Sequence, residues 1–164
     1  KFGNNNSYCQ DNEISWIDWS LLEKNKDLFE FFKFMIDYRK KHPVIRKKLD
    51  NAVCGMEAMH AHDVNAERME VPQNAKTLAV SFAGYDRKKG KDDLVYVAVN
   101  AYWEEVKITL PNLTNHGAWY LSVDTYGDEK GKYFYQEGEE IRIDREYVMK
   151  PRSIVVFTGR EILR

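Results

Sequence analysis

Cysteine and proline are scarce in this chain, and long apolar runs are missing. The 164 residues hold two cysteines, Cys9 and Cys54, and four prolines. Two cysteines this far apart cannot frame a small disulfide scaffold, and no CxxC or Cys/His ligand spacing accompanies them. They read as two thiols in a reducing, cytoplasmic setting. No segment approaches the ~20 consecutive apolar residues that cross a bilayer, so a membrane is not an expected partner. An excess of one charge is missing too. The 25 Lys+Arg and 26 Asp+Glu leave a net charge of −1, which argues against a nucleic-acid arm or a membrane-surface patch. His42, His60, His62 and His116 lack triad or metal company and read as surface or capping side chains. Neither a metal site nor a cofactor is expected. There is no internal repeat and no low-complexity tract.

What is present divides into two textures. Hydrophobic residues make up 43% and aromatics 13%, enough for a β-rich core. The aromatic share equally suits a protein that handles sugars, whose apolar ring faces stack on aromatic side chains. Residues 1–48 read as a polar loop and then a helix over 27–42. Asp18 and Ser20 can cap a short first turn, and Asn25 or Asp27 a longer helix. Leu28, Phe31, Phe32, Met35, Ile36 and Tyr38 recur on one broad face. Arg39, Lys40, Lys41 and His42 suit the negative end of the dipole, and Pro43 stops the helix. Phe29 and Phe34 fall off that face, so the helix is expected to pack between two layers. The bare apolar sides predict self-association of the chain through helix 27–42.

Residues 49–164 have the period of strands. Strands are expected at 76–84, 92–100, 105–111, 118–125, 133–136, 139–144 and 152–159, with turns between them, including one from Asp144 to Pro151. The charge run at 87–93 reads as a solvated hairpin tip. Short strands at this spacing with no helices between them point to an antiparallel β-sandwich or barrel, and the sandwich is the reading taken here. The fold class is therefore mainly β, a sandwich at 49–164 preceded at 1–48 by a loop and one long helix.

The opening "GNNNSYCQDNEISWIDW" (3–19) closely resembles a segment of the isoamylase and glycogen-debranching branch of glycoside hydrolase family 13. There it precedes the last helix of a (β/α)₈ barrel. "YRKKHPVIR" (38–46) is similar to the barrel-closing helix end, and "LVYVAVNAYWEEVKITLP" (94–111), "WYLSVDT" and "KPRSIVVF" to the C-terminal sandwich. Residues 55–75 depart from the pattern. Met59-His60 is followed by Ala61 where relatives carry glycine, and no Pro-Asp follows.

The resemblance implies retaining hydrolysis of α-1,6-glucosidic branch points, with glycogen or starch-type α-glucan as the partner. It places the catalytic Asp, Glu and Asp on barrel strands before this leader, so no catalytic residue is assigned here and the chain alone is expected to be inactive. The sandwich is expected to stabilise the barrel. A loop that follows a barrel strand lies on the active-site face. On that basis Asn5, Asn6, Tyr8, Asp11 and Asn12 are expected to shape glucan subsites in the intact enzyme, unless the loop's amides only tie it to itself. Asp11 and Glu13 share a face of an extended loop but sit on no pair of rigid elements, so they are not a catalytic pair. Trp16 and Trp19 read as core anchors, and Trp103 as a sandwich corner, a barrel contact or a sugar platform. In an alternative reading, the sandwich is an α-glucan-binding module using Trp103, Tyr126, Tyr133 or Tyr135.

Overall fold

The computed structural model describes residues 8–68, 71–114 and 117–160. It divides into two compact units, Lys1–Ile36 and Asp37–Arg164. In the first, Ser20 precedes a one-turn helix α1 (Leu21–Lys24), and α2 (Lys26–Lys41) begins two residues later. Asp18 Oδ1 accepts from the Ser20 N–H at 3.0 Å, which shapes the entry to α1. On α2, Leu28, Phe32 and Ile36 are exposed. Trp16 and Trp19 are exposed as well, which corrects their reading as core anchors.

Among the described residues, the second unit takes in the last turn of α2, a 3₁₀ turn (Pro43–Ile45) and eight strands. These are β1 (Met59–His62), β2 (Thr77–Asp86), β3 (Lys91–Asn100), β4 (Val106–Thr109), β5 (Ala118–Asp124), β6 (Ile141–Ile143), β7 (Glu146–Met149) and β8 (Ser153–Arg160). All ladders are antiparallel. The large sheet runs β1-β2-β3-β8-β5-β6, and β4 pairs with β7 in a second sheet.

Register sets the two faces of the large sheet, because directly opposed residues point the same way. Ala83, Leu94, Gly159 and Trp119 form one cross-strand row, and Ser81, Tyr96, Phe157 and Leu121 the next. This face meets Ile108 of β4 and Met149 of β7, both fully buried, in a single core. Tyr147 of β7 meets Phe157 edge to face at 5.3 Å. Gly159 is what lets the first row close. A Cβ there would lie 2.8 Å from Leu94 Cβ and 3.1 Å from Trp119 Cζ3. The opposite face carries Val80, Val97 and Val156, then Phe82, Val95 and Thr158. Its far end, at Leu78 and Ile154, is exposed.

Two expectations need correction, and one strand was not expected. Residues 133–136 form no strand, only an isolated bridge from Phe134 to Val123, because too few of their backbone groups find a partner strand. The segment between Asp144 and Pro151 is not all turn: β7 crosses it and pairs with β4. Residues 59–62, in the stretch that departs from the family pattern, add β1 at the sheet edge.

Candidate functional site

Within the described part of the leader, residues 10–16 form a hydrogen-bonded turn. Asn12 Oδ1 accepts from the Ile14 N–H at 3.0 Å, and the Asn12 carbonyl accepts from the N–H groups of Ser15 and Trp16, each at 3.0 Å. Ser15 Oγ donates to the Gln10 carbonyl at 2.6 Å. Trp16 Nε1 donates to Asp11 Oδ1 at 2.8 Å. Asp11 and Asn12 are thus brought together around the Trp16 turn, while Tyr8 stands exposed. Asn5 and Asn6 lie outside the described residues. Glu13 is exposed, while one oxygen of the Asp11 carboxylate accepts from the Trp16 indole.

The end of α2 is fastened to the sandwich by a buried polar chain that sequence reading did not assign. Tyr38, only 6% exposed, brings its hydroxyl to 2.8 Å from Thr158 Oγ1, which lies 2.8 Å from Ser122 Oγ. Ser122 occupies the irregularity in β5 where the register to β8 shifts. Burial pushes the Tyr38 phenol well above its ordinary range, so it stays protonated and can donate. The Tyr38 and His42 rings lie 4.3 Å apart. His42 Nδ1 reaches Asp93 Oδ1 at 2.6 Å, and Asp93 Oδ2 accepts from the Val44 N–H at 3.0 Å. His42 is therefore no surface histidine. The adjacent Asp92 takes the N–H groups of Val53 and Cys54, both at 2.8 Å. The charge run at 87–93 accordingly splits in role. Arg87 to Lys91 form the solvated tip, while Asp92 and Asp93 point back to cap neighbouring backbone. The alternation of β3 holds the signal: Asp93 shares a face with Val95 and Val97.

At the other end of the sheet, Asn100 builds the corner that carries Trp103. Asn100 is buried; its Nδ2 donates to the carbonyls of Glu104 and Lys150, both at 2.9 Å, and its Oδ1 accepts from the Tyr102 N–H at 3.0 Å. That leaves Trp103 65% exposed, with its ring 4.2 Å from that of Tyr102. The Lys76 ammonium sits 3.7 Å from the Tyr102 ring centre. Of the other aromatics named above, Tyr126 is exposed, whereas Tyr135 is buried and withdrawn from any surface platform.

His62 also departs from its surface reading. It is fully buried, its Nδ1 donates to the Asp63 carbonyl at 2.8 Å, and its Nε2 finds no partner among the described residues. The Tyr96 hydroxyl likewise lacks one, and the two rings lie 5.3 Å apart. Desolvation, with His60 adding a smaller push, holds the His62 imidazole below the ordinary histidine range. The unfolded chain then takes up a proton first as pH falls. His62 should destabilise the fold below about pH 6.5, with a limiting slope of ~1.4 kcal/mol per pH unit. Urea unfolding of the chain and of His62→Leu between pH 7.5 and 5 checks this. The wild-type midpoint should fall more steeply with acid than the variant's, and parallel curves would refute the assignment.

Among the described residues, no cluster of three or more histidine, cysteine or carboxylate side chains could hold a metal ion, and no helix is long and apolar enough to cross a membrane.

Comparison with known proteins places this geometry. The family model described as "Isoamylase, C-terminal" matches residues 54–158. Isoamylase 3, chloroplastic, of Oryza sativa subsp. japonica is 30% identical over 126 residues, 76% of this chain and 15% of that protein. Isoamylase of Flavobacterium sp. is 28% identical over 98% of this chain and 22% of its own length. The glycogen operon protein GlgX homolog of Mycobacterium tuberculosis is 52% identical over 48 residues, 29% of this chain and 7% of that one. The chain thus spans less than a quarter of the relatives it matches. Among solved structures, pullulanase type I from Bacillus subtilis complexed with maltose shares the fold at a TM-score of 0.55 and 19% identity, over 86% of this chain and 17% of that one. With the matched segment running from Cys54 through β1 to Thr158 of β8, the chain belongs to the isoamylase C-terminal family.

Proposed function

We propose that this chain serves as the C-terminal, non-catalytic part of a debranching glycoside hydrolase, acting on branched α-glucan in the cytoplasm. In that reading 1–48 carries the last loop and helix of a catalytic barrel, and 49–164 is the sandwich that braces it. The observation that carries this is the buried chain from Tyr38 through Thr158 to Ser122, which ties the end of a helix into the middle of the sheet. A brace needs such a rigid junction, whereas a free binding module does not. The names of the isoamylase and GlgX relatives support the substrate class. Asn5, Asn6, Tyr8, Asp11 and Asn12 are proposed to line glucan subsites once the loop is seated on the barrel rim.

Incubation of the chain with pullulan or glycogen is expected to release no reducing ends; turnover at an ordinary enzymatic rate would sink the proposal. The same helix is expected to self-associate when nothing covers Leu28, Phe32 and Ile36, and sedimentation showing a strict monomer at high concentration would remove that corollary.

The exposed Trp103 ring favours one second reading, an α-glucan-binding module. Titration with maltoheptaose, followed by Trp fluorescence, separates the two. No response supports the brace. Saturable binding that Trp103→Ala abolishes supports the module.

A further inference from the structure

Three basic stretches that are distant in sequence meet in one groove of the second unit. The last turn of α2 brings Lys40 and Lys41, the segment after the 3₁₀ turn brings Arg46 to Lys48, and the β2–β3 turn brings Arg87 to Lys89. The groove encloses about 710 Å³, within the range of small-molecule sites. Leu49 and Tyr85 add apolar lining. Eight cationic side chains face two carboxylates, Asp50 and Asp86, and both carboxylates are engaged. Asp50 pairs with Arg87, while Asp86 is buried and its Oδ1 accepts from the Lys88 N–H at 2.9 Å, closing the hairpin turn. Lys41 turns to Asp37 at 2.9 Å. Lys40, Lys47, Lys48 and Lys88 have no carboxylate partner among the described residues.

Like charges gathered in one concavity focus potential and draw in anions, whatever the net charge of the chain. We propose that this groove binds phosphate groups of small solutes, with the ammonium groups of Lys40, Lys47, Lys48 and Lys88 and the Arg46 guanidinium as donors. Tyr85 and Leu49 would meet the organic part of a phosphate ester. This inference is independent of the debranching reading.

Calorimetric titration of the full chain at low ionic strength, with pyrophosphate as the probe, tests it. One-site saturable binding is expected, and it should weaken on addition of ~0.3 M NaCl. The double variant Lys47→Glu/Lys88→Glu should weaken it by about tenfold or more. Lys107→Glu/Lys130→Glu changes net charge equally, away from the groove, and should leave affinity within about twofold. Both variants alter exposed side chains, and unchanged circular dichroism confirms their fold. No saturable binding, equal weakening in the two variants, or binding to a DNA duplex without binding to pyrophosphate would each overturn the proposal. If pyrophosphate binds, glucose 6-phosphate against phosphorylated maltodextrin then tells a free ester from one carried on a glucan chain.

Discussion

Asp93→Ala should lower the unfolding free energy of the chain by about 2–5 kcal/mol. The loss reflects what the carboxylate holds. Asp93 is 5% exposed and accepts from the Val44 N–H and, through its other oxygen, from the His42 ring. Removing it strands two donors in a largely buried site, and each such loss costs about 1–3 kcal/mol. Asp93→Asn keeps the shape and one acceptor oxygen, and should recover about half of the loss. Denaturant midpoints give the magnitude. Amide exchange gives the location: protection over residues 38–46 should collapse while the β2–β3 ladder stays slow. If the alanine variant unfolds at the wild-type midpoint with that protection intact, Asp93 does not fasten the helix end.

Trp119→Ala is expected to have the other large effect. Trp119 is 1% exposed, donates from Nε1 to the Pro111 carbonyl at 2.8 Å, and packs against Tyr96 with ring centres 5.9 Å apart. Truncating a buried tryptophan costs about 3–5 kcal/mol, depending on how far the site collapses. For a chain of this size that is a fall of about 6–20 °C in Tm. Gly159, directly opposite, leaves the indole its space but offers no side chain to fill the void. Scanning calorimetry measures the fall. A change of under about 1 kcal/mol would mean the core is plastic around this ring. Trp119→Phe, which keeps the ring contact but not the donor, should fall between.

The long strands were legible because their pattern is local. β2, β3, β5 and β8 are β-branched and apolar over seven to ten residues, and no helix period competes. The short ones were not. β1 reads Met-His-Ala-His, and its inward residues are His60 and His62, so the alternation is written in histidines rather than aliphatics. β7 is four residues between turn signals, and it is a strand because β4 lies beside it. The tyrosines at 133 and 135 mimic a strand, but the local chain gives Tyr135 a burial site without a ladder. The candidate sites divide the same way. The turn at Asn12 follows from its amide, whereas the Tyr38–Thr158 contact spans 120 residues of sequence and has no local signature. The basic groove was hidden by balance. A net charge of −1 says nothing about where the cations collect once three segments fold together.

The placement of β8 has a kinetic corollary. β8 is the last of the described strands in chain order, yet it lies between β3 and β5. Until it docks, each of those two strands presents a bare hydrogen-bonding edge to its surroundings. A nascent chain emerging from the ribosome can zip the β2–β3 hairpin early, but the two halves of the sheet cannot join before residue 160 has been made. Closure of the large sheet therefore waits on β8 and must bridge the chain from Asn100 to Ser153, which slows it and leaves the sheet most exposed to mispairing just before it finishes.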